Sequence, residues 1–467
     1  MRSEAGANPK RIRRTARTRT LSFGSSKRES HDSAPFYSRF SSVEISDDST
    51  INQPSVVDEI FCQDARDMHQ LACNSVALVV TSPPYFSGKE YEAELGASGT
   101  PSNYIEYLRL LAEVFSECMR VLEPGGRIAV NVANLGRKPY RSLSADVVGI
   151  LQDLGFLLRG EIVWVKGRTT SGSCAWGTFA HPANPVLRDV TERVIVGSKG
   201  RFDRAIPQET RERLGLPSTP TITKDEFLEA TVDVWEIPSE SATRVGHPSP
   251  FPVELPMRLI QLYSYEGDVV LDPFIGSGTT AVAAVRTGRR YLGFDTTSEY
   301  VVLAKRRIEA ELRAAQNNQS SGGKRWLSRG VSVTSDALEL LKEAGFADIR
   351  VKQTIGPARV AADFVAVDSA GRKWAFAVAG SYTSVPSGLS TKDALWDVIA
   401  RGAVLQSSLG GAVQLLVLTT ELPRKGSASW RILESVVGRS KVLRDVIDIG
   451  DASACHKLAL YARGELI

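Results

Sequence analysis

Val76-Ala77-Leu78-Val79-Val80-Thr81-Ser82-Pro83-Pro84-Tyr85 is the stretch on which the reading of this chain turns. Its first five residues form an unbroken apolar run, the pattern of a parallel strand buried on both faces. The polar pair Thr81-Ser82, two prolines and Tyr85 then make a stiff loop at the strand's carboxyl end. That edge is where open α/β sheets bind ligands. Proline fixes φ and extends the residue before it, so the carbonyl between Ser82 and Pro83 is held out with no local amide to consume it. A fixed carbonyl beside a hydroxyl suits a planar amino group, and a neighbouring phenol ring suits the flat base that carries it. A lone Pro-Pro pair reads equally well as an ordinary stiffened loop. The residues that decide lie far downstream, at 269–295.

The chain has 467 residues, enough for two or three domains that each bury a core. With 42% hydrophobic and 24% charged residues it has the composition of a soluble protein. No apolar run approaches the ~20 residues that a membrane span needs. The net charge of +4 is unevenly spread. Residues 1–45 concentrate Lys10, Arg11, Arg13, Arg14, Arg17, Arg19, Lys27 and Arg28, with few acids and little that could pack. This predicts a disordered basic tail able to hold phosphates non-specifically; it reads equally as a mis-assigned start. It lacks the apolar core of a signal peptide. Cys62, Cys73, Cys118, Cys174 and Cys455 are scattered, odd in number and without metal-ligand spacing. Reduced thiols in a cytoplasm are expected.

From Val56 the pattern alternates strand and helix. Ser102 is placed to cap a helix with the stripe Tyr104, Leu108, Leu111, Phe115, Cys118 and Leu122. Glu123-Pro124-Gly125-Gly126 reads as its stop and Arg127–Val132 as the next strand. A helix over 145–154, strands at 162–165 and 194–196, and a charged, Pro-rich stretch over 198–245 follow. This rhythm implies a parallel sheet covered on both faces. A helix through Leu255, Leu259, Ile260 and Tyr263 leads into Val269-Val270-Leu271, a second buried-strand signal. That strand runs directly into Asp272-Pro273-Phe274-Ile275-Gly276-Ser277-Gly278-Thr279-Thr280, then an Ala/Val-rich helix, then Tyr291-Leu292-Gly293-Phe294-Asp295. A helix from Glu299 to about Leu312 closes the unit.

Strand, glycine-rich turn, helix and an acid at the tip of the next strand is a nucleotide-binding plan. Gly276 and Gly278 let backbone approach a ligand, and Asp295 is placed to bind two ribose hydroxyls. The loop lacks the Gly-Lys-Ser/Thr that grips a triphosphate, and its spacing is not that of the dinucleotide fingerprint. With Asp272 at its mouth it suits a ligand with an ammonium and no pyrophosphate, which describes S-adenosyl-L-methionine.

Together the two loops resemble the β-class amino-methyltransferases of DNA, in which the catalytic tetrapeptide precedes the cofactor loop. The run Gly246-His247-Pro248-Ser249-Pro250-Phe251-Pro252, Glu123–Gly126 and Tyr291–Asp295 look like further landmarks, so the resemblance covers roughly residues 55–312. It implies an α/β, Rossmann-like S-adenosylmethionine-dependent methyltransferase fold with circularly permuted motif order over residues 46–315. It implies Ser82, Pro83, Pro84 and Tyr85 as catalytic residues, and Asp272, Phe274, Gly276, Ser277, Gly278, Thr279 and Asp295 as the cofactor site, with no metal. The partner it implies is double-stranded DNA, with no membrane, and a restriction–modification setting would add a cognate restriction endonuclease. A target base flipped from the duplex, at roughly a few kcal/mol, would stack on Tyr85. Ser82 and the carbonyl before Pro83 would aim its amine at the methyl sulfonium. An acid in place of Ser82 is the usual sign of an adenine-N6 enzyme, so Ser-Pro-Pro-Tyr favours cytosine N4, with adenine N6 the alternative. Enzymes that methylate glutamine in proteins carry Asn there, which argues against them; RNA as substrate stays open.

The segments 166–190 and 198–245 are the expected DNA readers, the second as a target-recognition insert, with Arg168, Arg188, Arg193, Arg211 and Arg213 as candidates. Phe86, Trp164 and Lys166 read either as pocket lining or as packing and surface. Residues 316–330 form a linker with a flexible start at Gln316–Gly323. A smaller α/β domain follows over 331–467, with a helix through Leu338 and strands near Phe364–Val367, Trp374–Val378 and Leu415–Leu418. Its central hairpin resembles the restriction-endonuclease-like fold. Asp363 is present, but the acid-X-Lys triplet reads Ala377-Val378-Ala379, and alanine neither ligates a hard cation nor activates water. A module that does not cleave is the reading; a bifunctional enzyme that also cuts DNA, or an unrelated α/β domain, is the alternative.

Overall fold

The computed structural model describes residues 45–84, 103–134, 140–166, 177–178, 180–187, 190–239, 251–320, 333–380, 388–389, 392–451 and 453–466. Tyr85, Phe86, Ser102, Arg168, Cys174, Arg188, the 246–250 run and the basic tail lie outside them.

Eight strands build the larger sheet: β1 (Glu59–Cys62), β2 (Val76–Thr81), β3 (Leu122–Val132), β4 (Phe156–Val165), β5 (Thr191–Lys199), β6 (Val234–Glu236), β7 (Val269–Asp272) and β8 (Arg290–Asp295). Their order is β1-β8-β7-β2-β3-β5-β4-β6. The helices are α1 (Tyr104–Val121), α2 (Leu143–Asp153), α3 (Gln208–Arg213), α4 (Lys224–Ala230), α5 (Glu254–Tyr263), α6 (Thr279–Arg286) and α7 (Ser298–Ser320). As its apolar run requires, β2 is buried on both faces. Val79 belongs to one apolar cluster with Leu111 and Phe115 of α1 and Val147 of α2. Leu78 and Val80 join another with Leu255 and Leu259 of α5 and Ala283 of α6.

Four expectations are corrected. The cap of α1 is Asn103, whose side chain accepts from the Glu106 amide at 3.0 Å. The strand expected over Arg127–Val132 begins earlier, at Leu122, directly after α1 ends at Val121, so the Glu123–Gly126 stop lies inside β3, where pairing with β2 jumps from Val76↔Leu122 to Leu78↔Arg127, an irregular bulge. Gly125 makes it feasible: its φ is +80°, and a β-carbon there would lie 2.0 Å from the Asp203 carbonyl oxygen. The sheet is not all parallel, since β5 runs antiparallel to both β3 and β4; alternation of strand and helix carries no signal for one reversed strand. Finally, α7 continues to Ser320, so the start of the expected linker is helical.

Topology places the crevice. From β2 the chain passes through α1 to β3 on one side, and from β7 through α6 to β8 on the other. The order reverses between the neighbours β2 and β7, the switch point where open α/β sheets bind ligands at their carboxyl edge.

The C-terminal sheet has β9 (Ala347–Ile355), β10 (Val360–Val367), β11 (Lys373–Ala379), β12 (Gln414–Thr419) and β13 (Asp445–Asp448), in the order β13-β12-β11-β10-β9. Its helices are α8 (Val333–Glu343), α9 (Lys392–Leu409), α10 (Ala428–Val436) and α11 (Ala454–Ala462). The β9-β10-β11 meander is antiparallel, and β11, β12 and β13 are parallel.

Candidate active site

The described ladder between β2 and β7 pairs Leu78 with Val270 and Val79 with Leu271. Beyond that register the two strands are joined by side chains. Thr81 donates to Oδ1 of Asp272 at 2.7 Å, and Thr280, in the first turn of α6, donates to Oδ2 at 2.7 Å. The Phe274 amide also donates to Oδ1, at 3.0 Å. Asp272 is 1% exposed, and burial outweighs these three donors, raising its carboxyl from 3.8 to about 6. The sequence reading set Asp272 at the mouth of the loop, free for a ligand. In the structure it also holds the end of β2 to the cofactor loop. Sequence reasoning missed these roles of Thr81 and Thr280, whose only signals were a hydroxyl at the end of the β2 apolar run and another at the start of the Ala/Val-rich helix.

At the tip of β8, Asp295 accepts from the Gly276 amide at 3.0 Å and from the Thr297 amide at 2.9 Å. It is half-buried, and burial holds its carboxyl above the usual range. Each oxygen keeps acceptor capacity beyond those bonds. Ser277 and Thr279 turn the other way: Arg307 of α7 donates to the Ser277 carbonyl at 2.7 Å and hydroxyl at 2.8 Å, and to the Thr279 hydroxyl at 3.3 Å. Gly278, with φ +81°, serves packing, because a β-carbon there would lie 2.9 Å from that of Ala304. Phe274 packs against the apolar cluster of α1. Residues 272–280 carry two carboxylate-facing features, Asp272 and the contact to Asp295, and no Lys or Arg. That set of acceptors fits the donors of an ammonium and a ribose diol, as S-adenosylmethionine offers, better than a string of phosphates.

On the opposite wall, Ser82 is half-buried, Pro83 buried and Pro84 exposed. Further along the carboxyl edge, Asn131 donates to Glu192 at 2.5 Å, and Lys166 is ion-paired to the same carboxylate. Trp164 is a packing residue, buried with its indole N–H donating to the Ile237 carbonyl at 2.7 Å.

The expected DNA-reading arginines divide. Arg193, at the carboxyl end of the sheet opposite Val132 and Val163, is half-buried and donates to Thr191 at 3.2 Å. Arg211 is 1% exposed and bound to Asp268 at 3.1 Å and Glu123 at 3.4 Å; Arg204 donates to Asp268 at 3.0 Å and pairs with Glu123. Glu123 opens β3 and Asp268 immediately precedes β7, so this quartet sits at the amino edge, away from the crevice. Arg211 therefore does not reach a base, and Arg213 lies on the same short helix α3. The first half of the 198–245 insert braces the sheet.

A family model described as N6_N4_Mtase, DNA methylase, matches residues 76–306. Type II methyltransferase M.MjaI of Methanocaldococcus jannaschii is 29% identical, over 51% of this chain and 86% of the relative. DNA adenine methyltransferase YhdJ of Escherichia coli is 26% identical, over 52% of this chain and 79% of the relative. Among solved structures, TTHA0409 of Thermus thermophilus, in complex with S-adenosyl-L-methionine, is 32% identical over 54% of this chain and 94% of that chain, with a TM-score of 0.43. Over residues 76–306 the chain matches the N6/N4 DNA methylase family, whose methyl donor is S-adenosylmethionine.

Proposed function

We propose that this chain methylates the exocyclic N4 amine of cytosine in double-stranded DNA, in a restriction–modification setting. The observation that carries the reading is the meeting of the Ser82-Pro83-Pro84 loop and the Asp272–Thr280 loop across one crevice, joined through Thr81 and Asp272. Bound at the second loop, S-adenosylmethionine supplies an electrophilic methyl group on sulfonium. Asp295 binds the ribose hydroxyls, and Asp272 faces the methionine end with its buried carboxylate. Ser82 and its carbonyl accept from the target amine and aim its lone pair, so catalysis is largely alignment. Tyr85 stacks the flipped base. A nitrogen–carbon bond forms as the sulfur–carbon bond breaks, and the amine loses a proton to solvent. The name type II methyltransferase of M.MjaI supports the restriction–modification setting. YhdJ, named for adenine, favours a second reading at adenine N6; Ser82 favours cytosine.

For the C-terminal unit we infer a DNA-contacting or structural module that does not cut. Ala377 and Ala379 belong to the apolar cluster of Leu395 and Val398 of α9, where the resemblance would place metal ligands. Asp363 accepts from the Val378 amide at 2.8 Å and lies 3.9 Å from Arg401, an arrangement of a held carboxylate.

The test is incubation with genomic DNA amplified in vitro, which is unmodified and contains every short site, and with methyl-labelled S-adenosylmethionine. Nucleoside analysis should return N4-methylcytosine. Label in N6-methyladenine selects the second reading, and no label refutes both. Ser82→Ala and Tyr85→Ala should lower the transfer rate more than cofactor affinity.

A further inference from the structure

The carboxyl edge separates two jobs that must be done in register. The loop leaving β2 presents the amine, and the loop leaving β7 presents the methyl donor. In an ordinary pair of neighbouring strands, ladder hydrogen bonds would fix that register. Here the described ladder ends at Val79↔Leu271, two residues short of Thr81. What spans the gap is Thr81 to one oxygen of Asp272 and Thr280 to the other, both at 2.7 Å, with all three residues buried. Thr280 also lies 3.4 Å from the Val80 carbonyl, a second tie from α6 to β2. Ser82 follows Thr81 directly, so any movement of Thr81 is passed to the Ser82 hydroxyl and to the carbonyl before Pro83.

We propose that Thr81 is a positioning residue: through Asp272 and Thr280 it sets the distance between the target amine and the methyl donor, without touching either. The inference rests on the function proposed above. It makes a distinction between the two hydroxyls. Oδ1 of Asp272 would keep the Phe274 amide when Thr81 is lost, so the cofactor side stays held. Oδ2 is held by Thr280. Loss of Thr81 should therefore cost alignment, and loss of Thr280 should cost cofactor affinity as well.

The experiment uses the full chain, amplified unmodified genomic DNA, and labelled S-adenosylmethionine under single-turnover conditions, with cofactor affinity measured by calorimetry. Thr81→Val keeps the shape and removes the donor. The transfer rate should fall on the order of tenfold to a hundredfold, the scale of a displacement near 1 Å at reacting groups. Cofactor affinity should change by less than about threefold, and Thr81→Ser, which restores the donor, should recover the rate. Thr280→Val should lose rate and affinity together. Wild-type rate in Thr81→Val overturns the inference while leaving the methyltransferase reading intact. So does a parallel loss of rate, affinity and melting temperature that Ser does not rescue, which marks a packing role. A wild-type protein that moves no label overturns both.

Discussion

Replacing Asp272 with Asn isolates the cost of keeping a charge in the floor of the crevice. The carboxyl is 1% exposed and lifted from 3.8 to about 6, chiefly by burial. A rise of that size corresponds to about 3 kcal/mol at most. The sign follows from the folded value being the higher one. The stability this group contributes is complete below the unfolded value near 4 and is lost as pH rises through about 6. Above that pH the folded protein carries an ionised, poorly solvated carboxylate. Asn has nearly the same shape and no charge. Its oxygen can accept from Thr81 and Phe274, and its amide can face Thr280, whose hydroxyl can turn to the Val80 carbonyl 3.4 Å away. Asp272→Asn should therefore melt higher than wild type at pH 8, by a margin on the order of 1–3 kcal/mol, with the difference closing towards pH 4. Cofactor binding should move the opposite way. A cationic ligand favours the ionised carboxylate, so wild-type affinity should rise with pH through about 6, and Asn should bind weakly with a flat profile. Thermal unfolding and calorimetry at pH 5, 6, 7 and 8 read both. An Asn variant equally destabilised at every pH would refute this account, because the hydrogen bonds and not the charge would then dominate.

Four further outcomes follow from the same geometry. Asp295→Asn removes a charged acceptor from the ribose site and sets an amide against the Gly276 N–H, so calorimetry should show affinity lower by ~1.5–3 kcal/mol, roughly ten- to a hundredfold. Arg211→Met removes one of the two arginines ion-paired to Glu123 and Asp268, and denaturant unfolding should show a loss of about 3–5 kcal/mol. Deleting residues 324–467 should leave labelled methyl transfer detectable, and the intact chain should not cut DNA with Mg²⁺ or Mn²⁺; metal-dependent cutting abolished by Asp363→Ala would reverse that reading. Arg213→Ala should leave DNA affinity unchanged, whereas Arg193→Ala should weaken it and, if the contact is to phosphate, lower the salt slope by about 1.

What could be read from the chain was whatever a single element announces. β2 and β7 are apolar without interruption because both their faces are covered, and the residues that end them must then sit at a sheet edge. Order along the chain was enough to bring Ser82 and the Asp272 loop to one crevice. What stayed hidden depends on pairing across long separations. Thr81 and Asp272 are 191 residues apart, and Arg211 and Glu123 are 88 apart. Neither side chain advertises its partner. Pro124-Gly125-Gly126 carries the chemistry of the helix stop it follows, and its second part, a bulge in β3 with the Asp203 backbone lying against Gly125, depends on a residue far along the chain. In the C-terminal sheet, β9 escaped notice because its residues are mostly exposed and lack a buried stripe.

The two edges of the large sheet use charge in opposite ways, and this ranks the segments expected to read DNA. At the amino edge, cations are spent inside the protein. Arg204 and Arg211 are tied to Glu123 and Asp268, and Lys199 donates to Asn74 at 2.6 Å, to the Leu122 carbonyl at 2.7 Å and to the Arg120 carbonyl at 3.1 Å. Neither arginine can be given to a phosphate without weakening the hold on a buried acid, at several kcal/mol. At the carboxyl edge the acids are the held groups: Asp272 by two hydroxyls and an amide, Asp295 by two amides, and Glu192 by Asn131 and Lys166. The chain leaves β4 at Val165 and enters β5 at Thr191, so both ends of the 166–190 segment stand at that edge. The 198–245 segment begins at the other edge, where Lys199 stands opposite Phe156 in the ladder. A flipped base in the crevice puts the flanking duplex against the carboxyl edge. Under the proposed function, recognition of the DNA sequence is expected first of 166–190, while the first half of the insert holds the sheet beneath it.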